Sequence, residues 1–358
     1  MRAVDLNSVL VRMLGQEKHD WLRIYGFRLK EFLRTTTPLK LTNWVVIKAQ
    51  YKLHHSQVKG MPFHYFIDPI NVCNLCCPLC PTGRGILARP HGRMTLADLK
   101  RIIDEIAPYA YRVELYNWGE PLLHPEIFEM IAYASQRRIT VGLSSNLNRL
   151  GAGMARQLVE SGLSQLIVSV DGSTQESYGT YRRRGKLDDV LKNLRLLVEA
   201  RQALRRSTPF IIARMLVGKH NEREIDAVRS LVHEIGVDSF LTGPLFVDTR
   251  NPEQLKQWVP ENPAYSPYQA SKPENTWDCH DLWESMVINW DGGVAPCCWL
   301  HDPQFDFGNV SDQTVREIWN GPNYISARRV IGEQHKTYPD GVRTICHRCR
   351  GHPDYMAY

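Results

Sequence analysis

Nine cysteines in a chain of 358 residues fall into two groups, and this distribution constrains the fold more than any other feature. Cys73, Cys76, Cys77 and Cys80 form one knot, while Cys279, Cys297, Cys298, Cys346 and Cys349 all lie in the last eighty residues. No apolar run is long enough to span a bilayer, since LIVSV and FIIARMLV are strand-sized. The opening MRAVDLNSVLVRMLGQEKHD scatters charges and has no apolar core segment, so no secretory signal is read. The expected setting is a reducing cytoplasm, where disulfides are rare and clustered cysteines point to metal. Two metal sites are the natural reading.

Between the groups, strand-like and helix-like segments alternate from about residue 64. HYFID feeds the cysteine loop, and TLADLKRIIDEIAPY follows as a helix capped by Thr95. RVELYNW, ITVGLSSN, QLIVSVDG, FIIARMLV and SFLTGPLF read as further strands with helices between them. Six such units in series predict a parallel sheet with right-handed crossovers, as a partly closed barrel or a doubly wound sheet. Residues 249–278, rich in Pro, Asn and Ser, read as a linker. After it, WESMVINWDGGVAPCCWL predicts a hairpin about Asp291-Gly292-Gly293, and TVREIWNGP a short helix ended by Gly321 and Pro322. The expected division is a helical extension over 1–60, a core over 61–248, the linker over 249–278 and a small metal domain over 279–358.

The formal net charge of +6 is uneven. Residues 1–60 hold eleven Lys/Arg against four Asp/Glu, which gives +7 and leaves about −1 for the rest. Nucleic acid, a membrane surface or an acidic peptide would suit such an extension. A helical extension packed on the main domain suits it as well, and that is the expectation here.

Cys73-x3-Cys77-x2-Cys80 sets three thiolates in one loop just past a strand end, where α/β folds place their active sites. Structural zinc sites instead use four ligands, commonly as two separate C-x2-C pairs. Three cysteines suit a [4Fe–4S] cluster whose fourth iron is left open for a chelating amino acid. The intervening Cys76 has the wrong spacing and is expected to face away.

This motif resembles that of the radical SAM superfamily, and the likeness extends over residues 61–248. The resemblance implies a partial (βα)6 TIM-like barrel that binds S-adenosylmethionine (SAM) at the cluster. The family's Gly-Gly-Glu-like motif is represented by Trp118-Gly119-Glu120-Pro121, with Trp118 in place of the first glycine. Asn146, Ser169, Asp171 and Arg182 match positions at which the family contacts SAM. The chemistry implied is one-electron reductive cleavage of SAM to methionine and a 5′-deoxyadenosyl radical, which abstracts a substrate hydrogen. An external electron donor such as flavodoxin or ferredoxin is implied too.

The second cysteine group resembles the SPASM/twitch extensions of that family. Cys279, Cys297, Cys346 and Cys349 would hold one auxiliary [4Fe–4S] cluster, because the stretch after Cys349 lacks the further cysteines of a full SPASM module. A structural zinc on the same four cysteines also satisfies the spacing. Cys298 would replace Cys297, pack as a small residue, or donate a hydrogen atom near the substrate; packing is the expectation. An auxiliary cluster as electron acceptor implies net oxidation of a small polar metabolite, such as a sugar or aminocyclitol. A peptide maturase or a radical epimerase is the alternative, and a zinc-containing RNA-binding protein is the reading from another class. Tyr116, Asn117 and Arg214, at strand ends, are the positions from which substrate would be met.

Overall fold

The computed structural model describes residues 15–248, 250–266, 279–332 and 341–349. The start of the basic extension, the middle of the 249–278 segment and the stretch after Cys349 lie outside the described residues.

Six parallel strands follow one another in space as in sequence. They are β1 (His64–Ile67), β2 (Arg112–Glu114), β3 (Thr140–Ser145), β4 (Gln165–Ser169), β5 (Phe210–Val217) and β6 (Ser239–Pro244). Each neighbouring pair is parallel, for example Val168↔Ala213 and Ser169↔Arg214 between β4 and β5. Side chains alternate across the sheet. Val141 and Leu143, Leu166 and Val168, and Ala213 and Met215 therefore face the helical layer and are fully buried. Ser144, Ile167, Ser169, Arg214 and Leu216 take the other face, which is only partly covered. That concave face is the lumen of a partial barrel.

The outer layer comprises Leu96–Ile106, Ile127–Gln136, Ala152–Glu160, Leu187–Ala203 and Ile225–Ile235. Leu96–Ile106 starts as expected, with Thr95 Oγ1 accepting the Asp98 N–H at 3.1 Å. It buries Leu99, Ile102, Ile103 and Ile106, the i, i+3, i+4, i+7 stripe.

The predicted hairpin forms, with β7 (Ser285–Ile288) antiparallel to β8 (Val294–Ala295). It is less separate than the sequence implied, because β7 pairs in parallel with β1 and extends the sheet to eight strands. An uncovered β1 edge would expose unpaired backbone groups, and the hairpin removes that edge. Side chains lock the arrangement: Arg328 donates from Nε to Leu282 O (2.8 Å) and from Nη1 to Ser56 O (3.1 Å). Trp319 Nε1 donates to Gly60 O at 3.0 Å.

Two further differences have local causes. Within the presumed linker, Pro252–Trp258 is helical, begun by Asn251 Oδ1 accepting the N–H groups of Glu253 and Gln254. Gly321-Pro322 ends the Val315–Trp319 helix, but Pro322 then opens a second helix, Pro322–Gly332, because proline suits a first turn.

The described part of the basic extension forms α1 (Gln16–Thr35) and α2 (Pro38–Lys52). Helix α1 crosses the starting ends of the strands. Ser239 donates to Asp20 O at 3.1 Å, Phe27 stacks on Phe210, Thr140 donates to Glu31 at 3.3 Å, and Phe32 stacks on Tyr111. With Ile24 buried among Phe210, Ile212 and Ile167, α1 seals the barrel floor, opposite the end from which the cysteine loop emerges.

Candidate active site and cysteine clusters

The loops leaving the carboxyl ends of β1 to β4 are tied to one another by buried polar groups. Asp68, directly after β1, accepts the Trp118 N–H at 3.3 Å. Burial lifts its carboxyl to about 7, against the pull of the Trp118, Gly119 and Asn117 amides. Asp68 thereby pins the turn that follows β2. At Gly119 a Cβ would lie 1.8 Å from Ile70 O, so only glycine lets that turn close on the cysteine loop. Glu120 N then donates to Val72 O at 2.9 Å.

The Glu120 carboxylate is buried, which raises its pKa. One oxygen accepts Ser145 Oγ (2.7 Å) and Leu122 N (3.1 Å), and the other accepts Asn146 N (2.8 Å). Asn146 Nδ2 donates to Asn74 Oδ1 at 3.0 Å and lies 3.7 Å from Cys73 Sγ. The expected SAM residues Gly119, Glu120 and Asn146 are thus assembled beside the first cysteine.

Arg182 lies on the other side of the loop, with Nη1 3.8 Å from Cys77 Sγ and Nε paired to Asp171. Asp171 is fully buried and also accepts Leu216 N at 2.7 Å. Its side chain is taken up by protein partners and holds the arginine in place. Ser169 ends β4 on the lumen face, opposite Arg214 in register.

Cys73, Cys77 and Cys80 gather in a small apolar cluster with Leu75, Tyr181, Leu245, Val247 and Trp258. Trp258 comes from the helix inside the presumed linker, so this segment shields the cysteine loop. Its sequence signal was Asn251-Pro252, an N-cap followed by a first-turn proline. Cys76 stays out of the cluster and anchors the loop instead, its N–H donating to Arg183 O at 3.1 Å.

In the second group, Cys297 lies within electrostatic reach of Cys346 and Cys279, and Cys346 within reach of Cys279 and Cys349. Cys298 has Asp281 and Tyr116 near it. Cys297 thus lies with Cys279, Cys346 and Cys349 in one region.

All nine cysteines are free thiols. Burial pushes Cys73 and Cys279 up to about 12, so these thiols need a cation's charge to ionise near neutrality. Among the described residues no three His, Cys, Asp or Glu side chains are drawn together to hold one metal ion. Ligands that each bind a different iron of a cubane stand further apart than ligands of a single ion.

Two residues that the sequence reading did not single out join the cysteine regions. Arg89, only 4% exposed, pairs with Asp291 (2.5 Å) and Asp306 (2.7 Å), clamping the loop after Cys80 to the hairpin turn. Thr82 Oγ1 donates to Trp118 O at 2.6 Å. No periodicity marks a lone arginine or threonine whose partners are remote in sequence.

Comparison with known proteins agrees with this geometry. The model of the radical SAM superfamily matches residues 67–255, and an iron–sulfur cluster-binding domain model, SPASM, matches residues 279–350. The chain is 24% identical over 300 residues to the tungsten-containing aldehyde ferredoxin oxidoreductase cofactor-modifying protein of Pyrococcus furiosus, covering 73% of this chain and 82% of that one. It is 30% identical over 169 residues to the AdoMet-dependent heme synthase of Methanosarcina barkeri, covering 47% of this chain and about half (46%) of the relative. Streptococcus suis SuiB bound to S-adenosylmethionine shares the fold, with a TM-score of 0.60 at 16% identity over 78% of this chain and 70% of that one. These matches set aside the zinc-containing RNA-binding reading. They imply a SAM-binding [4Fe–4S] cluster, auxiliary iron–sulfur binding and SAM itself as cofactors. The chain belongs to the radical SAM superfamily and carries a C-terminal SPASM iron–sulfur domain.

Proposed function

We propose that this enzyme is an oxidoreductase that removes two hydrogens from a small polar metabolite, of the class of a sugar or aminocyclitol alcohol. In this reading Cys73, Cys77 and Cys80 hold the SAM-binding cluster. Gly119, Glu120, Asn146, Ser169 and Arg182 shape the SAM pocket, with Asp171 orienting Arg182. Cys279, Cys297, Cys346 and Cys349 hold the auxiliary cluster. The bound cofactors supply the radical chemistry; the protein supplies orientation and exclusion of water.

The observation that carries the reading is the seating of the auxiliary segment on the strand ends of the barrel mouth. Trp118 Nε1 lies 3.4 Å from Leu300 O, and the Asn117 amide, turned to suit its neighbours, donates to Cys298 O at 3.3 Å. An electron acceptor held there adjoins the place where a substrate radical forms. When bound, SAM at the Cys73, Cys77 and Cys80 cluster would supply hydrogen-atom abstraction, and the auxiliary cluster on Cys279, Cys297, Cys346 and Cys349 would supply a one-electron acceptor. Loss of a hydrogen atom, an electron and a proton from the substrate is a net two-electron oxidation.

The lumen below is polar, which supports a hydrophilic substrate. Glu114 is paired with Arg112 and lies 3.5 Å from His64. Burial works to raise the Glu114 carboxyl, but Arg112 and His64 outweigh it and hold it at about 2. Above this layer lies Tyr116, within electrostatic reach of Arg214, which has no ion pair among the described residues. The guanidinium offers five donors to hydroxyl or carboxylate oxygens. Because α1 closes the opposite end of the barrel, the described part of the basic extension stands away from the mouth and does not serve to present a peptide there.

The test is anaerobic incubation of reconstituted enzyme with SAM and a panel of carbon-deuterated polyols, aminocyclitols and short peptides. The reading requires deuterium in 5′-deoxyadenosine together with a product two hydrogens lighter. Product of unchanged mass that takes up solvent hydrogen would establish epimerisation instead.

A further inference from the structure

Helix α1 packs a mixed face on the barrel, with Asp20 and Glu31 beside Ile24 and Phe27, and leaves an apolar face outward. The inward face buries Ile24 fully and packs Phe27 on Phe210. The outward face carries Leu22, Tyr25, Leu29 and Leu33, which are 53%, 59%, 60% and 66% exposed. Successive spacings of three, four and four residues place these side chains in one stripe along the helix. Single exposed leucines are ordinary; a stripe along three turns of one helix marks an interaction surface.

The surrounding charge selects the partner. Lys30, next to Leu29 in sequence, flanks the stripe and Lys18 lies near its start, while Arg28, one turn after buried Ile24, turns towards Glu114 in the barrel. Both lysines are exposed, and neither has an ion pair among the described residues. Trp21, 40% exposed, stands beside Tyr25 with ring centroids 6.0 Å apart. Leucines with an aromatic pair and flanking cations are the chemistry of a helix lying in an anionic lipid interface. A second copy of the chain would bring the same cations against each other, so self-association is disfavoured by like charge.

We propose that the outward face of α1 docks this enzyme on anionic membrane surfaces as a peripheral protein. Since α1 crosses the barrel floor, the docked molecule turns its cysteine-lined mouth away from the lipid and towards solution.

The test is sedimentation of the full, cluster-loaded chain with phosphatidylcholine vesicles, with and without one-third phosphatidylglycerol. The proposal expects binding to the anionic vesicles that weakens steeply as salt rises, and little binding to the neutral ones. Combined Leu22→Ser, Leu29→Ser and Leu33→Ser lowers vesicle affinity more than tenfold. Combined Lys18→Gln and Lys30→Gln, which leaves the apolar stripe intact, lowers it roughly thirtyfold. In both variants the unfolding midpoint is unchanged. Three results overturn the proposal: no binding to either vesicle, equal binding to both, or a dimer by light scattering that the serine variant dissociates.

Discussion

The Asp171–Arg182 pair offers the most informative perturbation of the SAM pocket. Asp171 is fully buried and the Arg182 side chain is 14% exposed, so neither charge has water to fall back on. Asp171→Asn keeps the shape of the side chain and removes its charge, stranding the guanidinium beside Cys77. Stranding one member of a buried pair costs about 3–5 kcal/mol, of which a lost charge-assisted hydrogen bond accounts for roughly 1.5–3. Arg182→Gln should cost a similar amount by stranding the carboxylate. The double variant removes both charges, so its cost should fall short of the sum by about 2–3 kcal/mol. Anaerobic urea unfolding of the four proteins gives the cycle, and SAM affinity measured on the same samples reports the pocket. Additive losses, or single losses below about 1 kcal/mol, would refute the view that Asp171 acts by holding Arg182.

Three further outcomes follow from the same structure. Gly119→Ala sets a Cβ 1.8 Å from Ile70 O, so the loops must part; a loss of about 3 kcal/mol or more and weakened SAM binding are expected by calorimetry. Arg89→Met leaves Asp291 and Asp306 facing each other, and should cost about 3 kcal/mol in unfolding experiments while the hydrogen-exchange protection of β8 falls. Lys40 is depressed from 10.5 to about 8, first by burial and then by Arg138 and Arg34. The unfolded chain therefore binds the extra proton between those values, and stability should rise with pH across that window. The gain attributable to this group is up to about 3 kcal/mol, read as the difference between native protein and Lys40→Met in urea at pH 7.5 and 10.5.

The barrel was legible in the sequence because each strand–helix unit carries its own periodicity, as in FIIARMLV or the stripe Leu99, Ile102, Ile103 and Ile106. The placing of Cys73, Cys77 and Cys80 in one loop past a strand end was legible because the HYFID strand immediately precedes them. The parallel pairing of β7 with β1 was not, since an edge strand reads the same whether its partner lies nearby or two hundred residues away. The sealing of the floor by α1 was hidden because its buried side mixes His19, Asp20 and Glu31 with Ile24. Its apolar stripe faces outward, the reverse of the pattern expected of a surface helix. The role of Asp171 escaped for a related reason. A carboxylate at a strand end looks the same in sequence whether it meets a ligand or, as here, an arginine eleven residues on. The shielding of the cysteine loop by Trp258 depended on one capping asparagine in an otherwise aperiodic stretch.

The central claim is that Cys73, Cys77 and Cys80 together carry the SAM-cleaving centre, and one measurement tests it most directly. It is the yield of 5′-deoxyadenosine from dithionite-reduced, iron-reconstituted protein, compared between the native chain, Cys76→Ala, and the combined Cys73→Ala, Cys77→Ala and Cys80→Ala variant. The account predicts cleavage in the first two and none above background in the third, which should still retain the iron of its auxiliary site. Cleavage persisting in the triple variant, or vanishing in Cys76→Ala with its iron content unchanged, would contradict it.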